Sequence, residues 1–445
     1  MGKIESALQK TTDTRQLYLF NGAVNSAAEM FISLFPGKKA IIVADTNTWN
    51  AAGEAVYKSI AAAGIVMEPP FVFDDENLYA EESYLEQLRS RLSECDAIPV
   101  AVGSGVINDL TKYSSHLLGR RYICVGTAVS MDGYTAFGAS ITFDGNKQTV
   151  ECPAPLGFVM DPEVAAKAPK ELAASGYADL IAKIPAGADW MLSDAIGSEK
   201  IDRFSFDLVQ DGLKEALDDP EAVHAGDVEK TAALAEGLLM SGFAMQAIQS
   251  SRPASGTEHQ FSHFWDMENL CFEGKHVSHG FKVAVGTLVS TELLEYLIDT
   301  DVEGFNIEAC VDAWKSWDET EADIRRIFTD KPGHLARALK ESADKYVDKD
   351  GLRKQLLALK KSWPVLKDRI KDQIIPFDEV REKLKLVGAP YEPEMIGVSR
   401  QKLHDTLLCI PYMRSRITGI DILFRLGLLE DFSSRIFGPE GPWTI

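Results

Sequence analysis

Residues 97–113 read A-I-P-V-A-V-G-S-G-V-I-N-D-L-T-K-Y, and this stretch decides the fold class. The apolar run 97–102 has the length of a buried strand, passes straight into Gly103-Ser104-Gly105, and gives way to an amphipathic segment of helical spacing. Strand, glycine turn and helix in that order predict half of a β–α–β unit, the building block of a parallel sheet.

The same alternation continues on both sides. K-K-A-I-I-V-A-D forms a strand ending at Asp45, and N-T-W-N-A-A-G-E-A-V-Y-K-S-I opens a helix behind a polar cap. F-V-F at 71–73 is a further strand, 80–94 a charged helix, and R-Y-I-C-V at 121–125 and G-F-V-M at 157–160 add two more strands. Beyond Ala168-Pro169 the strand signals stop, and alanine- and leucine-rich amphipathic segments run to roughly residue 430. At 445 residues the chain exceeds what one hydrophobic core usually covers. We therefore expect an α/β N-terminal domain with a parallel Rossmann-like sheet over residues 1–165, followed by an all-helical domain over 166–445.

Composition removes several classes of function. A net charge of −21, from 67 acidic and 46 basic residues, repels phosphate backbones, so no nucleic-acid partner is expected, and an anionic small substrate needs a local basic pocket. The six cysteines form no C-x-x-C pair and no short framework, which reads as reduced thiols of a cytoplasmic protein. Neither a secretory leader nor an uninterrupted apolar run of membrane-spanning length is evident, so no membrane insertion is expected. The charged stretch 318–372 reads as solvated helical surface.

Ligand chemistry concentrates at the carboxyl ends of the strands, where parallel sheets bind ligands. Gly103-Ser104-Gly105 lets backbone N–H groups approach a pyrophosphate at a helix N-terminus, although a strand-to-helix turn that needs two glycines gives the same pattern. Asp109 and Lys112 in the following turn fit ordinary helix surface. Asp45 is placed to accept from an adenosine ribose, or to cap a helix. In G-T-A-V-S-M-D-G (126–133), the hydroxyls of Thr127 and Ser130 suit a nicotinamide or its ribose, with Asp132 facing the reacting atoms; a polar turn is the plainer alternative.

The second half carries a metal-binding composition. Four of the eight histidines, His259, His263, His276 and His279, fall within 21 residues, and Asp179 stands in G-Y-A-D-L. A carboxylate with imidazoles is a borderline-soft divalent set that leaves positions open for substrate, and the spacing alone leaves open which imidazoles bind. Arg252, shortly before His259, is either a bidentate phosphate reader or a surface arginine.

These segments together resemble the metal-dependent polyol dehydrogenase superfamily of glycerol dehydrogenase, the iron-containing alcohol dehydrogenases and dehydroquinate synthase. Within it they are most similar to the bacterial NAD(P)-dependent glycerol-1-phosphate dehydrogenases. The motifs that carry the likeness are G-S-G-V-I-N-D-L-T-K-Y, G-T-A-V-S-M-D-G-Y, G-Y-A-D-L-I-A-K with A-D-W-M-L-S-D, S-R-P-A-S-G-T-E-H-Q-F-S-H-F-W, H-G-F-K-V-A-V-G-T and R-I-T-G-I-D-I-L-F-R-L-G-L-L.

The resemblance implies a nucleotide-binding first domain and a metal- and substrate-binding second domain. It places the metal ligands on Asp179, His259 and His279, leaves His263 beside the site, and makes His276 a bystander. It puts the pyrophosphate at Gly103, Ser104 and Gly105 with Asp109 nearby, the nicotinamide end at Thr127 and Ser130, and Asp132 beside the substrate. Two positions depart from the pattern: Gly126 replaces a proline, and Ala136 a serine that bonds the cofactor.

The implied activity is hydride transfer between NAD or NADP and a small phosphorylated ketone or polyol, dihydroxyacetone phosphate and sn-glycerol 1-phosphate. It would use one divalent ion (zinc, nickel or iron), proton transfer assisted by His263 or Asp132, and Arg252 on the phosphate. A homodimer acting in the cytoplasm is part of the same expectation. The rival readings are another polyol dehydrogenase, a dehydroquinate-synthase-like cyclase, and a nucleotide- or metal-binding regulator on a retired scaffold.

Overall fold

The computed structural model describes residues 2–75 and 77–445. The chain forms two compact units, one of Met1–Leu180, Phe204–Ser251 and Leu386–Gly388, the other of Ile181–Arg203, Arg252–Lys385 and Ala389–Ile445. Residues 166–180 and 204–251, expected in the helical half, thus cluster with the sheet.

The first unit contains β1 (Gln16–Leu19), β2 (Ala40–Asp45), β3 (Phe71–Phe73), β4 (Ile98–Gly103), β5 (Ile123–Gly126), β6 (Ala139–Phe143), β7 (Asn146–Val150) and β8 (Gly157–Met160). Six of them form one sheet in the order β1-β8-β5-β4-β2-β3, with every pairing parallel. The five residues before Asp45 in β2, and all of β4, β5 and β8, are buried. Continuous burial is why these strands read as unbroken apolar runs: helices cover both faces of a parallel sheet. On one face Ile42, Val100, Val125 and Val159 pack with Phe31, Val56 and Ile60.

Three strands lay outside the sequence reading. β1 is four half-buried residues at the sheet edge, too short for periodicity. β6 and β7 form an antiparallel hairpin through Asp144 and Gly145, whose φ angles of 46° and 73° are those of a type I′ turn. The dipeptide Asp-Gly between alternating segments was the available signal.

The Val228–Ile248 helix is long and apolar enough by composition to cross a membrane, but 67% of its most apolar window is buried inside the protein. It packs on the helices Lys3–Lys10, Pro162–Ala165 and Leu213–Ala216, which explains why this segment belongs with the sheet.

In the second unit the helices Thr257–Met267 and His279–Asp299 pack side by side. Gly286 makes their approach possible, because a Cβ there would stand 2.3 Å from the carbonyl oxygen of Glu258. A short exposed hairpin, β9 (Cys271–Phe272) and β10 (Lys275–His276), joins the two helices, so this unit is not wholly helical. Two-residue strands carry no periodic signal. In the stretch 318–372, exposed ion pairs such as Arg325 with Glu321 lie outside while Leu352, Leu356, Leu359 and Trp363 are buried.

Candidate active site and metal centre

The carboxyl edge of the sheet gathers the proposed cofactor residues. β4 ends at Gly103, paired with Gly126 at the end of β5, and the Thr127 N–H extends the ladder by donating to the Gly103 carbonyl at 3.1 Å. Ser104 takes an extended N-cap conformation before the helix Gly105–Leu117, whose first N–H groups have no intrahelical acceptor. No positive φ is needed at either glycine; both are required for close packing. A Cβ at Gly103 would lie 2.6 Å from the Ile107 side chain, and one at Gly105 2.7 Å from that of Met131.

Asp45 does cap the helix after β2: its Oδ1 accepts from the Thr48 N–H at 2.8 Å, and the Thr48 hydroxyl accepts from the Asp45 N–H. Gly126 does not loosen the loop that follows it. It is the last paired residue of β5, and a Cβ there would meet Met160 at 2.7 Å and Phe158 at 2.9 Å.

Asp109 and Lys112 are not helix surface. Both are buried, and the Lys112 ammonium donates to the carbonyls of Gly133, Ala136 and Gly138 at 3.0, 3.0 and 2.9 Å, curling the loop after Asp132 around itself. Asp109 turns its carboxylate to the Ser140 N–H at the start of the β6–β7 hairpin and to Asn108, with Lys112 4.0 Å away. Burial raises its pKa above the usual carboxylate range. These contacts tie Asp109 to the start of the hairpin.

The remaining loop residues bind one another in a definite order. The Tyr134 hydroxyl donates to the Ala128 carbonyl at 2.7 Å, which leaves Ser130, 3.0 Å from the same oxygen, as donor to it. Asp132 accepts from the Ser241 hydroxyl at 2.8 Å, and its own N–H donates to a carboxylate oxygen of Asp179 at 3.0 Å. Asp179 is fully buried on the helix Lys170–Ile181. That helix lies tight against the loop at Gly176, where a Cβ would stand 1.9 Å from the Val129 carbonyl oxygen. Two contacts therefore fix Asp179 relative to the loop.

His259 and His279 lie on the paired helices of the second unit, with ring centroids 5.2 Å apart. Glu258 accepts at 2.7 Å from Nδ1 of His259 and at 2.6 Å from the Gly256 N–H, and Ser262 stands 3.3 Å from Nδ1 of His279. Both imidazoles are held through Nδ1, and a carboxylate behind an imidazole orients the ring and raises its basicity. Asp189 anchors the start of this helix: its oxygens accept from the N–H groups of Thr257 and Gly419, both at 2.6 Å. Burial first, then the Glu258 charge, pushes its pKa up to about 7.

His263 is 6.3 Å from His259 between ring centroids. Burial, then the charges of Arg414 and Arg337, hold its pKa well below the usual imidazole range. His276 is exposed on β10, 3.5 Å from the thiol of Cys271.

Asp179, His259 and His279 each offer one ligand atom, and the three atoms lie within 4.8 Å of one another. Among the described residues no other group of three or more His, Cys, Asp or Glu side chains converges in this way. The set fits a divalent ion of borderline softness with open positions.

Arg252 does not stand open for a ligand. It is fully buried, its terminal nitrogens donate to the carbonyls of Ile417 and Asp189 at 3.1 and 2.9 Å, and Nε is 3.3 Å from Glu199. It ties the 417–419 segment to the helix Lys183–Ala195. Arg252→Ala is accordingly expected to destabilise the fold by about 3 kcal/mol, the cost of leaving buried partners unpaired. In steady-state assays phosphorylated and unphosphorylated substrates should then suffer alike; a selective rise in KM for the phosphorylated one would restore Arg252 to the phosphate.

Glu258 and Asp189 both stood inside quoted motifs, T-E-H and A-D-W, but an acidic neighbour carries no sign that it is buried against an imidazole or a helix start. Lys112 gave no signal beyond its position.

Residues 18–169 match the iron-containing alcohol dehydrogenase family. A glycerol-1-phosphate dehydrogenase (NAD(P)+) of Geobacillus thermodenitrificans is 32% identical over 305 residues, covering 68% of this chain and 74% of the relative. One from Bacillus licheniformis is 28% identical over 423 residues, covering 95% and 91%. The crystal structure of glycerol dehydrogenase from Schizosaccharomyces pombe shares the fold, with a TM-score of 0.59, 18% identity, and coverage of 94% and 90%. The chain belongs to the NAD(P)-dependent glycerol-1-phosphate dehydrogenase family of the iron-containing alcohol dehydrogenase superfamily.

Proposed function

We propose that the chain reduces dihydroxyacetone phosphate to sn-glycerol 1-phosphate with NADH or NADPH. Hydride passes from the reduced nicotinamide to C2 of the ketone, one proton goes to the C2 oxygen, and the oxidised dinucleotide leaves. Family membership supports the substrate. The observation that carries the chemistry is the convergence of Asp179, His259 and His279.

A divalent ion held by these three residues, zinc, nickel or iron, would supply Lewis-acid polarisation of the C2 oxygen, which is worth several kcal/mol. The chain's own groups do the rest. Glu258 and Ser262 fix the two imidazoles, and the Asp132 main chain fixes Asp179. Asp132 is thereby a positioning residue, its carboxylate engaged by Ser241. His263, kept neutral by burial and neighbouring arginines, is suited to pass a proton on rather than to hold a positive charge.

Gly103, Ser104 and Gly105 would take the pyrophosphate at the helix N-terminus, with Thr127 and Ser130 at the nicotinamide end. Asp45, whose Oδ1 serves the cap, would bond the ribose with its second oxygen; a carboxylate there repels a 2′-phosphate and favours NAD. Family likeness extends the proposal to a cytoplasmic homodimer in phospholipid metabolism.

The test is the absorbance of NADH and NADPH on addition of dihydroxyacetone phosphate. Oxidation is expected, with a product that an sn-glycerol-3-phosphate-specific dehydrogenase does not consume. No net dinucleotide oxidation with any ketone phosphate, together with cyclisation of a seven-carbon sugar phosphate, would replace the reading by a synthase.

A further inference from the structure

With Arg252 buried in the fold, the substrate phosphate needs another partner, and in a chain of net charge −21 that partner must be local. The second unit places three further arginines near the histidine cluster. Arg337 lies 3.7 Å from Glu341, and Arg416 donates to the Ser255 carbonyl at 2.8 Å. Arg414 differs: it is half-buried, yet it makes no hydrogen bond or ion pair with any described residue.

The main chain around Arg414 is nevertheless held firmly. The Ser415 N–H donates to Glu341 at 2.6 Å, Arg416 reaches Ser255, and the Thr418 hydroxyl accepts from Gln260 at 3.1 Å. These bonds lay residues 415–418 along the start of the helix Thr257–Met267, which carries His259 and His263. Arg414 is also the charge that acts most strongly on His263. Its own pKa is pushed down to about 9 by burial and then by Arg416 and Arg337, against the pull of Glu341 and Glu258. A guanidinium under like-charge repulsion, without a bonded carboxylate, on a pinned backbone, is prepared for an anion from outside the chain.

We propose that Arg414 reads the phosphate of the substrate, its planar fork binding two phosphate oxygens beside the histidine cluster; the inference rests on the reading of that substrate as dihydroxyacetone phosphate. Arg416 and Arg337 add positive potential while remaining tied to the fold.

Steady-state kinetics of the metal-loaded full chain test this with two substrates, dihydroxyacetone phosphate and unphosphorylated dihydroxyacetone. Arg414→Gln should raise KM for the phosphorylated ketone by about 100-fold, the usual scale for losing a bidentate charged contact, and leave KM for dihydroxyacetone within about twofold, while any change in kcat that passes through His263 falls on both substrates alike. Inorganic phosphate should inhibit the wild type competitively and lose that effect on this variant. Arg414→Lys, which keeps the charge but not the fork, should raise KM by roughly tenfold. It also decides the matter if the glutamine variant fails to fold, since an unchanged KM in the lysine variant counts against the role. A wild type that prefers the phosphorylated ketone, with a glutamine variant that keeps the preference, overturns the assignment of Arg414 alone. A wild type without that preference overturns the substrate reading and the assignment with it.

Discussion

Replacing His259 by alanine should abolish turnover, lowering kcat/KM by at least about 1,000-fold, while the protein stays folded. The expectation follows from the ligand set. His259 is one of three groups whose donor atoms converge within 4.8 Å, and two ligands hold a divalent ion far less tightly than three. Losing Lewis-acid stabilisation of several kcal/mol corresponds to a rate loss of about that size. The fold should survive because Asp189 still anchors the helix start and Glu258 keeps the Gly256 N–H. Elemental analysis, circular dichroism and the dihydroxyacetone phosphate assay on one preparation check all three points. A folded, metal-depleted variant with wild-type turnover would remove the ion from the chemistry.

The second large effect is expected at a residue that has no side chain to offer a ligand. Gly286→Ala would place a Cβ 2.3 Å from the Glu258 carbonyl oxygen and 3.0 Å from its Cα, all main-chain atoms. A flexible side chain can move aside, but here the two helices must separate. Overpacking of this kind costs about 1–3 kcal/mol. The displaced turn is the one that carries Glu258 and His259, opposite the helix that begins at His279. We expect Gly286→Ala to lower the melting temperature by several degrees and to weaken metal affinity by about tenfold or more. Gly333, on the exposed face of the helix Pro332–Lys345, has nothing within 4 Å of a built Cβ and serves as control: Gly333→Ala should leave both quantities unchanged. Equal behaviour of the two variants would mean that the helix contact does not position the histidines.

Much of this architecture was legible because it rests on burial. The runs at 38–45, 97–102, 121–125 and 157–160 are apolar on both faces, as a covered parallel sheet requires, and each became a strand. The segments that escaped were β1 and the two-residue β9 and β10, too short to show a period, and the β6–β7 hairpin, although its Asp-Gly turn was a signal. At the site, residue type foretold which side chains suit a metal, since histidines and a carboxylate have few other reasons to collect.

What escaped the sequence was which polar residues the fold consumes. Asp109 and Arg252 have the chemistry of ligand-binding groups, yet one holds the β6–β7 hairpin and the other two main-chain carbonyls. Lys112 and Glu258 have the chemistry of surface residues, yet one gathers three loop carbonyls and the other orients His259. A buried charge and a catalytic charge look alike in one dimension, and only their partners in space distinguish them.

The most direct test of the central claim is dihydroxyacetone phosphate reduction by the wild-type chain before and after exhaustive chelation, with zinc, nickel and iron(II) then added back singly. Asp179, His259 and His279 acting through a bound divalent ion predict loss of NAD(P)H oxidation on chelation, recovery with at least one of these metals, and no recovery in His259→Ala. Full activity in the chelated wild type would contradict it.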